Sequence, residues 1–418
     1  MFIRYRKEDD GKNMPLAEIY SREEHGIDMR DIDLDAIWAI RKLKQSGAQA
    51  YIVGGAIRDL LLGRKPKDFD IATSASPRQV QKMFWNARII GKRFKLVHLI
   101  FKDKVLEIST FRSGEDGSDG PSTIYGTAEQ DAKRRDFSVN SLYFDPIDGT
   151  IIDYNHAMDD FKKERIRSVL PLPESFIEDP VRMVRAIKYA VTTGFSLQGS
   201  VKRTIKRYAN ELARVSTSRL TEEVVKILGS GASAPILREL QRYRLLVYML
   251  PCLSVYTDFP EVNTSLRALD AKIIAAQNSG SKTIDNDLEK GEMLKALTKP
   301  MIVFQQLDGT TPEELFKETY RQIKVLVSPI TPPNYDVEVA AMMLLKDAGY
   351  DIPKHCIKTR KPINRAPFQG RGKRKEASHK PRKTDDLQNM VRKRTKRRRP
   401  KPTVQDKSAS SEQPMNSN

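Results

Sequence analysis

Asp68 and Asp70 stand one residue apart at the start of the apolar run Phe69–Thr73, and Gly54-Gly55 close the apolar run before it. In a strand, residues i and i+2 share a face, so the two carboxylates are expected to project side by side. Like charges so placed repel unless a cation lies between them. A divalent metal pair is the natural occupant, and such pairs stabilise in-line displacement at phosphorus. The two glycines come where a strand turns into a helix. Free N–H groups and the dipole at a helix start favour phosphate, and Arg58 lies one helical turn beyond Gly54. Read alone, Gly54 and Gly55 are equally a turn that needs positive φ.

Two carboxylates call for a third to complete a two-metal site. Glu107, an acid on the otherwise apolar run 105–111, is one candidate, and Asp136, in Arg134-Arg135-Asp136-Phe137, is the other. The competing readings are an exposed strand residue for Glu107 and a local cap or a salt bridge to its neighbouring arginines for Asp136. Of the two arginines, Arg135 is the favoured cation at a triphosphate.

A further cluster is Glu178-Asp179-Pro180-Val181-Arg182-Met183-Val184-Arg185. Asp179, Arg182 and Arg185 are spaced by three, which lines them along one helix face. An acid offers acceptors and an arginine donors. Adenine and cytosine each present an amino donor beside a ring-nitrogen acceptor, and guanine and uracil the reverse, so such a pair selects A and C without a template. The competing reading is a helix start, with Asp179 as N-cap, Pro180 first in the helix and the arginines facing solvent.

These residues need elements to hold them. Helical spacing over 33–46 (Leu34, Ile37, Trp38, Leu43) predicts a helix that Gly47 ends. Strands are expected at 51–53, 69–73, 87–90, 96–101 and 105–111, with helices at 56–62, 77–84 and 129–135. The segment 138–144 reads as helix or strand. Asp148-Gly149 marks a hairpin turn, and 113–127 is a Gly/Ser/Asp-rich loop. From about residue 176 the pattern is helical, near 180–191, 199–212, 217–229 and 232–245. Residues 1–30 read as a polar, irregular extension.

The 418 residues carry a net charge of +19, most of it local. From Lys354 to Lys401 there are 20 Lys plus Arg against Glu376, Asp385 and Asp386. The clusters Lys373-Arg374-Lys375 and Arg392-Lys393-Arg394-Thr395-Lys396-Arg397-Arg398-Arg399 have the footprint of a disordered, RNA-binding arm that gains affinity by counterion release. A solubilising tail is the plainer reading. No run of about 18 apolar residues suggests a membrane span. Cys252 and Cys356, far apart, suit a reducing cytoplasm.

Together, Val53–Gly63, Lys67–Ile71, Glu107–Arg112, Arg134–Phe137 with Asn140, and Glu178–Ala186 resemble the class II nucleotidyltransferase family, which holds bacterial poly(A) polymerases and CCA-adding tRNA nucleotidyltransferases. The resemblance covers about residues 31–250. It implies an α/β head with a polymerase-β-like palm (31–165), an all-α neck with the base pocket (166–230) and an all-α body (231–347), followed by the basic disordered tail (348–418). It implies Asp68 and Asp70 as carboxylates of a two-metal Mg²⁺ site. Gly54, Gly55, Arg58, Arg135, Asn140, Arg182 and Arg185 would meet the nucleotide, and Glu178 and Asp179 would shape the base pocket. The third carboxylate, Asp136 or Glu107, stays open.

Ile89–Phe101 is similar to the segment that marks the poly(A) branch, and the basic tail fits that branch too. The implied reaction is untemplated transfer of AMP from ATP to RNA 3′ ends with release of pyrophosphate, marking RNAs for decay machinery. The alternatives are CCA addition to tRNA and a catalytically inactive RNA-binding protein.

Overall fold

The computed structural model describes residues 1–7, 13–91, 96–102, 104–113, 125–278, 290–304 and 310–358. The basic clusters at 373–375 and 392–399, and most of the expected 113–127 loop, lie outside them. The described residues belong to one compact unit, Met1–Pro367.

A mixed sheet organises the first half. Its strands are β1 (Phe2–Lys7), β2 (Asn13–Tyr20), β3 (Ala50–Val53), β4 (Asp70–Thr73), β5 (Ala87–Ile90), β6 (Leu96–Ile100), β7 (Val105–Thr110), β8 (Tyr143–Asp145) and β9 (Thr150–Asp153), in the spatial order β1-β2-β9-β8-β3-β4-β7-β6-β5. Only β4 and β7 pair in parallel; the other pairs are antiparallel. The stretch read as an irregular extension instead supplies β1 and β2. Its alternation of basic and apolar residues suits an edge hairpin, and a charge-weighted reading hid that pattern.

Short helices decorate the sheet: α1 (Arg22–His25), α2 (Leu34–Gln45), α3 (Gly55–Leu61), α4 (Pro77–Met83), α5 (Ala128–Lys133) and α6 (Ala157–Lys162). Local chemistry starts several of them. The Asp33 carboxylate accepts from the N–H groups of Asp35 and Ala36. Ser76 with Gln79 and Thr127 with Gln130 form capping boxes. The helix expected at 33–46 is present, but its buried face is Ala36, Ala39, Ile40 and Leu43, while Leu34 is 79% exposed. Small alanines let α2 lie close to the sheet, which counting only large side chains misses. The ambiguous 138–144 segment is a 3₁₀ turn, Ser138–Asn140, followed by β8.

The sheet's two faces differ. Ile52, Ile71, Val97, Leu99, Leu106 and Ile108 join one core under α2 to α4. On the opposite face, Tyr51, Val53, Ala72, Phe111 and Tyr143 pack with Ala128 and Ala132 of α5. That cover does not extend over β5, β6 and β7, where Arg88, Ile90, Val105 and Glu107 are exposed.

From residue 174 the described residues are mainly helical, apart from the short strand Ser196–Leu197 that pairs with Arg165–Ile166. The chain runs through α7 (Glu174–Glu178), α8 (Val181–Thr193), α9 (Gly199–Tyr208), α10 (Thr217–Leu228), α11 (Ser233–Arg242), α12 (Leu246–Met249), α13 (Pro251–Tyr256), α14 (Pro260–Asn278), α15 (Lys290–Thr298), α16 (Pro312–Leu326) and α17 (Asn334–Asp347). Their apolar stripes share one large core from Phe137 to Cys356. The α/β head followed by helices is the architecture the sequence predicts. Among the described residues, no helix is long and apolar enough to cross a membrane.

Candidate nucleotidyl-transfer site

The site assembles where β3 ends and β4 begins. Gly54 adopts φ 74°, ψ −135°, a conformation that side chains disfavour, and Gly55 opens α3. A methyl group on Gly54 would lie 3.8 Å from both Asp70 Oδ2 and Arg135 Nη1, an ordinary contact. The backbone conformation, more than lack of space, therefore calls for glycine. The same geometry brings the turn, one candidate metal carboxylate and one candidate phosphate cation together.

Asp70 begins β4, whereas Asp68 lies just before the strand. Phe69 and Ile71 are buried while both acids are exposed, as expected. The strand rule therefore gives the right facing for the pair although only Asp70 belongs to the ladder. Burial first, then the charges of Glu107 and Asp68, push Asp70 up to about 6, against the pull of Arg135. Asp70 is accessible to solvent by surface area yet crowded enough for desolvation to lead. That combination describes a group on the floor of an open cleft.

Sheet register separates the two candidates for the third acid. Asp70 and Glu107 directly precede the paired Ile71 and Ile108 on parallel β4 and β7. Glu107 is thus the neighbour of Asp70, and His98, opposite it on β6, lies 3.2 Å from its carboxylate. Asp136 is committed elsewhere. It is buried, accepts from the Phe137 N–H at 2.8 Å, and pairs with Arg185 at 2.7 Å in a contact with ion-pair rather than directed hydrogen-bond geometry. Its expected partners, Arg134 and Arg135, are not the ones it meets.

The arginines are held by groups the sequence reading did not single out. Buried Asp131 accepts from Arg135 Nη2 at 3.0 Å, from the Tyr143 hydroxyl at 2.5 Å and from the Arg112 N–H at 3.2 Å. Its i,i+4 spacing to Arg135 is a signal that could have found it. Asp131→Ala should loosen Arg135 and lower stability by about 2 kcal/mol, because it strands a half-buried cation and a buried hydroxyl. Urea unfolding checks this; a loss below about 0.5 kcal/mol would contradict it.

Arg58 donates to Asn140 Oδ1 at 2.9 Å and to Asp59 at 2.9 and 3.0 Å, and its guanidinium stands 5.1 Å from the Tyr189 ring centre. Arg185 approaches the same ring, at 5.8 Å, and donates to the Tyr189 hydroxyl at 3.2 Å. Burial would pull Arg185 down, but Asp136 and Tyr189 outweigh it, so Arg185 stays charged. Tyr189 thus links α3 to α8.

At the start of α8 the expected pairing is rearranged. Asp179 precedes the helix, makes no side-chain cap, and Pro180 takes the cap position. Arg182 donates to Glu178 at 2.8 Å and to the Ser175 carbonyl at 2.9 Å. Asp179 instead accepts two bonds from Arg219 Nη2 of α10, at 2.9 and 2.8 Å. Arg219 is forty positions downstream, and no local pattern points to it. Arg219→Ala should free Asp179 and weaken discrimination between nucleotides about fivefold or more, read as the ratio of kcat/KM for ATP to that for GTP. An unchanged ratio would separate this pair from base choice.

Two family models match the chain: "Poly A polymerase head domain" over residues 50–167 and "Probable RNA and SrmB- binding site of polymerase A" over residues 194–256. The chain is 38% identical over 256 residues to poly(A) polymerase I of Salmonella typhi, covering 58% of this chain and 55% of that protein. It is 37% identical over 219 residues to the CCA-adding enzyme of Geobacillus stearothermophilus, covering 51% and 54%. The likeness to these nucleotidyltransferases lies in residues 50–167 and 194–256. The chain spans about half the length of these relatives. A crystal structure of the Bacillus stearothermophilus CCA-adding enzyme in complex with CTP matches at 27% identity and a TM-score of 0.48, over 76% of this chain and 83% of that one. Gly54 to Asn140 fall inside the head model, Glu178 to Arg185 lie between the two models, and Arg219 falls in the second.

Proposed function

We propose that the protein is a poly(A) polymerase that adds AMP from ATP to RNA 3′ ends without a template, releasing pyrophosphate. The convergence of Gly54, Asp70 and Arg135, with Glu107 in register beside Asp70, carries this reading.

The donor set fits a divalent cation. It offers oxygen ligands, and one carboxyl is held at about 6 partly by its acidic neighbours. Among the described residues no three acid, His or Cys side chains form a ready-made cluster. We assign Asp68 and Asp70 as the metal carboxylates and Glu107, not Asp136, as the third acid. Bound Mg²⁺ would supply charge neutralisation at the phosphates and acidify the RNA 3′-hydroxyl.

Arg135 and Arg58 orient the triphosphate at the glycine turn, and Asn140 fixes the Arg58 fork. Arg182 and Arg185, with Glu178 and Asp179, face the base and sugar from α8. The head would comprise residues 31–165 together with the β1–β2 hairpin that joins its sheet, the neck residues 166–230 and the body residues 231–347. The basic residues at 373–375 and 392–399 would hold RNA nonspecifically. An untemplated tail gives a 3′ nuclease a single-stranded foothold, so RNA-decay machinery is the partner class we assign. Both substrates are cytoplasmic, and that is the compartment assigned.

Acceptor choice tests this reading. A short oligo(A) and a tRNA lacking CCA are each incubated with ATP or CTP. ATP should extend both acceptors repeatedly. CTP incorporation confined to the tRNA would overturn the assignment in favour of CCA addition.

A further inference from the structure

The open part of the sheet has its own pattern. Register aligns Arg88 of β5 with His98 of β6, and His98 with Glu107 of β7, while Asp70 comes next on β4. Directly opposed residues share a face, so these four side chains form one row across four strands. Glu107 to Arg88 spans two strand spacings, about 10 Å.

The flanking positions on that face are apolar and accessible: Ile90 and Val105 are exposed, and Leu96 is half-buried. β5 ends the sheet. Two residues before it stands Trp85, 90% exposed, an unusual state for so large an apolar side chain. The other tryptophan of the chain, Trp38, packs edge-on to Phe84 next door, with Lys42 over both rings.

Charge narrows the occupant. From Ile71 to Lys102 the chain has no carboxylate, and Arg88 on this face and Lys102 in the β6–β7 turn are exposed, while Arg78 and Lys82 of α4 stand on the other side of the sheet. Asp33 and Asp35, on the helix side of Trp38, are both tied to Lys104. A cationic surface with an accessible aromatic suits a polyanion whose bases stack. It would repel the protein's own basic segment at 354–401.

We propose that the open face of β5, β6 and β7 is the track for the last few nucleotides of the acceptor RNA. It leads from Glu107 past His98 to Arg88, where a backbone phosphate is held, and a base stacks on Trp85. This rests on the poly(A) polymerase reading and gives β5 and β6 a role, that of an acceptor guide.

The test uses the full-length protein with Trp85→Ala, Arg88→Gln and Arg88→Glu, each checked for an unchanged melting temperature. The dissociation constant for oligo(A) and its KM should rise about tenfold for each while KM for ATP stays put. The salt slope of oligo(A) binding should fall by about one for Arg88→Gln. In the wild type, oligo(A) should quench tryptophan fluorescence, and Trp85→Phe should lose most of that quenching.

Wild-type tailing with unchanged oligo(A) affinity and quenching in the variants would overturn the track and leave the enzymatic reading standing. Loss of self-association, instead of RNA affinity, would reassign the face to a second copy of the chain and overturn the track as well. A wild type that neither binds nor extends oligo(A) would overturn both.

Discussion

Asp70→Asn is expected to lower AMP transfer by about a thousandfold or more while the protein stays folded. Holding divalent charge against a transferring phosphoryl group is worth several kcal/mol, and each 1.4 kcal/mol is tenfold in rate. The residue's position makes the fold tolerant of the change. Asp70 is the first residue of β4 and faces solvent, while neighbouring Ile71 carries the packing.

The acid's perturbation adds a pH dependence. Its folded value, about 6, lies above its ordinary value of 3.8. Between those limits the folded state binds the proton more tightly, so folding is favoured at low pH. That advantage is lost as pH rises through about 6 without a cation. Above 6 the ionised cluster is destabilising until an ion enters. Mg²⁺ should therefore raise the melting temperature more at pH 7.5 than at pH 5. Its affinity should fall about tenfold per pH unit below about 6, since the ion displaces the proton. Asp70→Asn should abolish the Mg²⁺ effect and leave the metal-free protein at least as stable at pH 7.5. Retained tailing, or an undiminished Mg²⁺ shift, would remove Asp70 from the metal site.

The second large effect concerns Arg58. Arg58→Ala should raise KM for ATP roughly 10- to 100-fold, because charge-assisted hydrogen bonds to phosphate are worth about 1.5–3 kcal/mol. Oligo(A) affinity should change little. Arg58→Lys should rescue poorly, since Asn140 and Asp59 hold a planar fork that an ammonium cannot reproduce. Calorimetric titration with a nonhydrolysable ATP analogue separates the alternatives. Unchanged nucleotide affinity would make Arg58 a structural tie between Asn140 and Tyr189 and nothing more.

The site's local parts were legible in the sequence because local rules govern them. The Gly54-Gly55 turn, the outward acids beside buried Phe69 and Ile71, and β5 to β7 each depend on alternation or turn chemistry within a few residues. What was illegible is pairing at a distance. Register, not spacing, sets Glu107 beside Asp70, and helix packing, not heptad position, gives Asp179 to Arg219 and Asp136 to Arg185. The β1–β2 hairpin was missed because its basic residues read as solvated coil, although on an edge strand such charges are at home. Asp131 and Tyr189 sat at helical spacing from Arg135 and Arg185 and were findable; Arg219 was not.

Pyrophosphate release measured with AMP incorporation tests the account most directly. Protein, Mg²⁺ and ATP are mixed with and without oligo(A), for the wild type and Asp70→Asn. One pyrophosphate per AMP joined to the RNA is expected, with dependence on oligo(A) and near-complete loss in the variant. Pyrophosphate released without incorporation, or a rate indifferent to Asp70, would contradict the account.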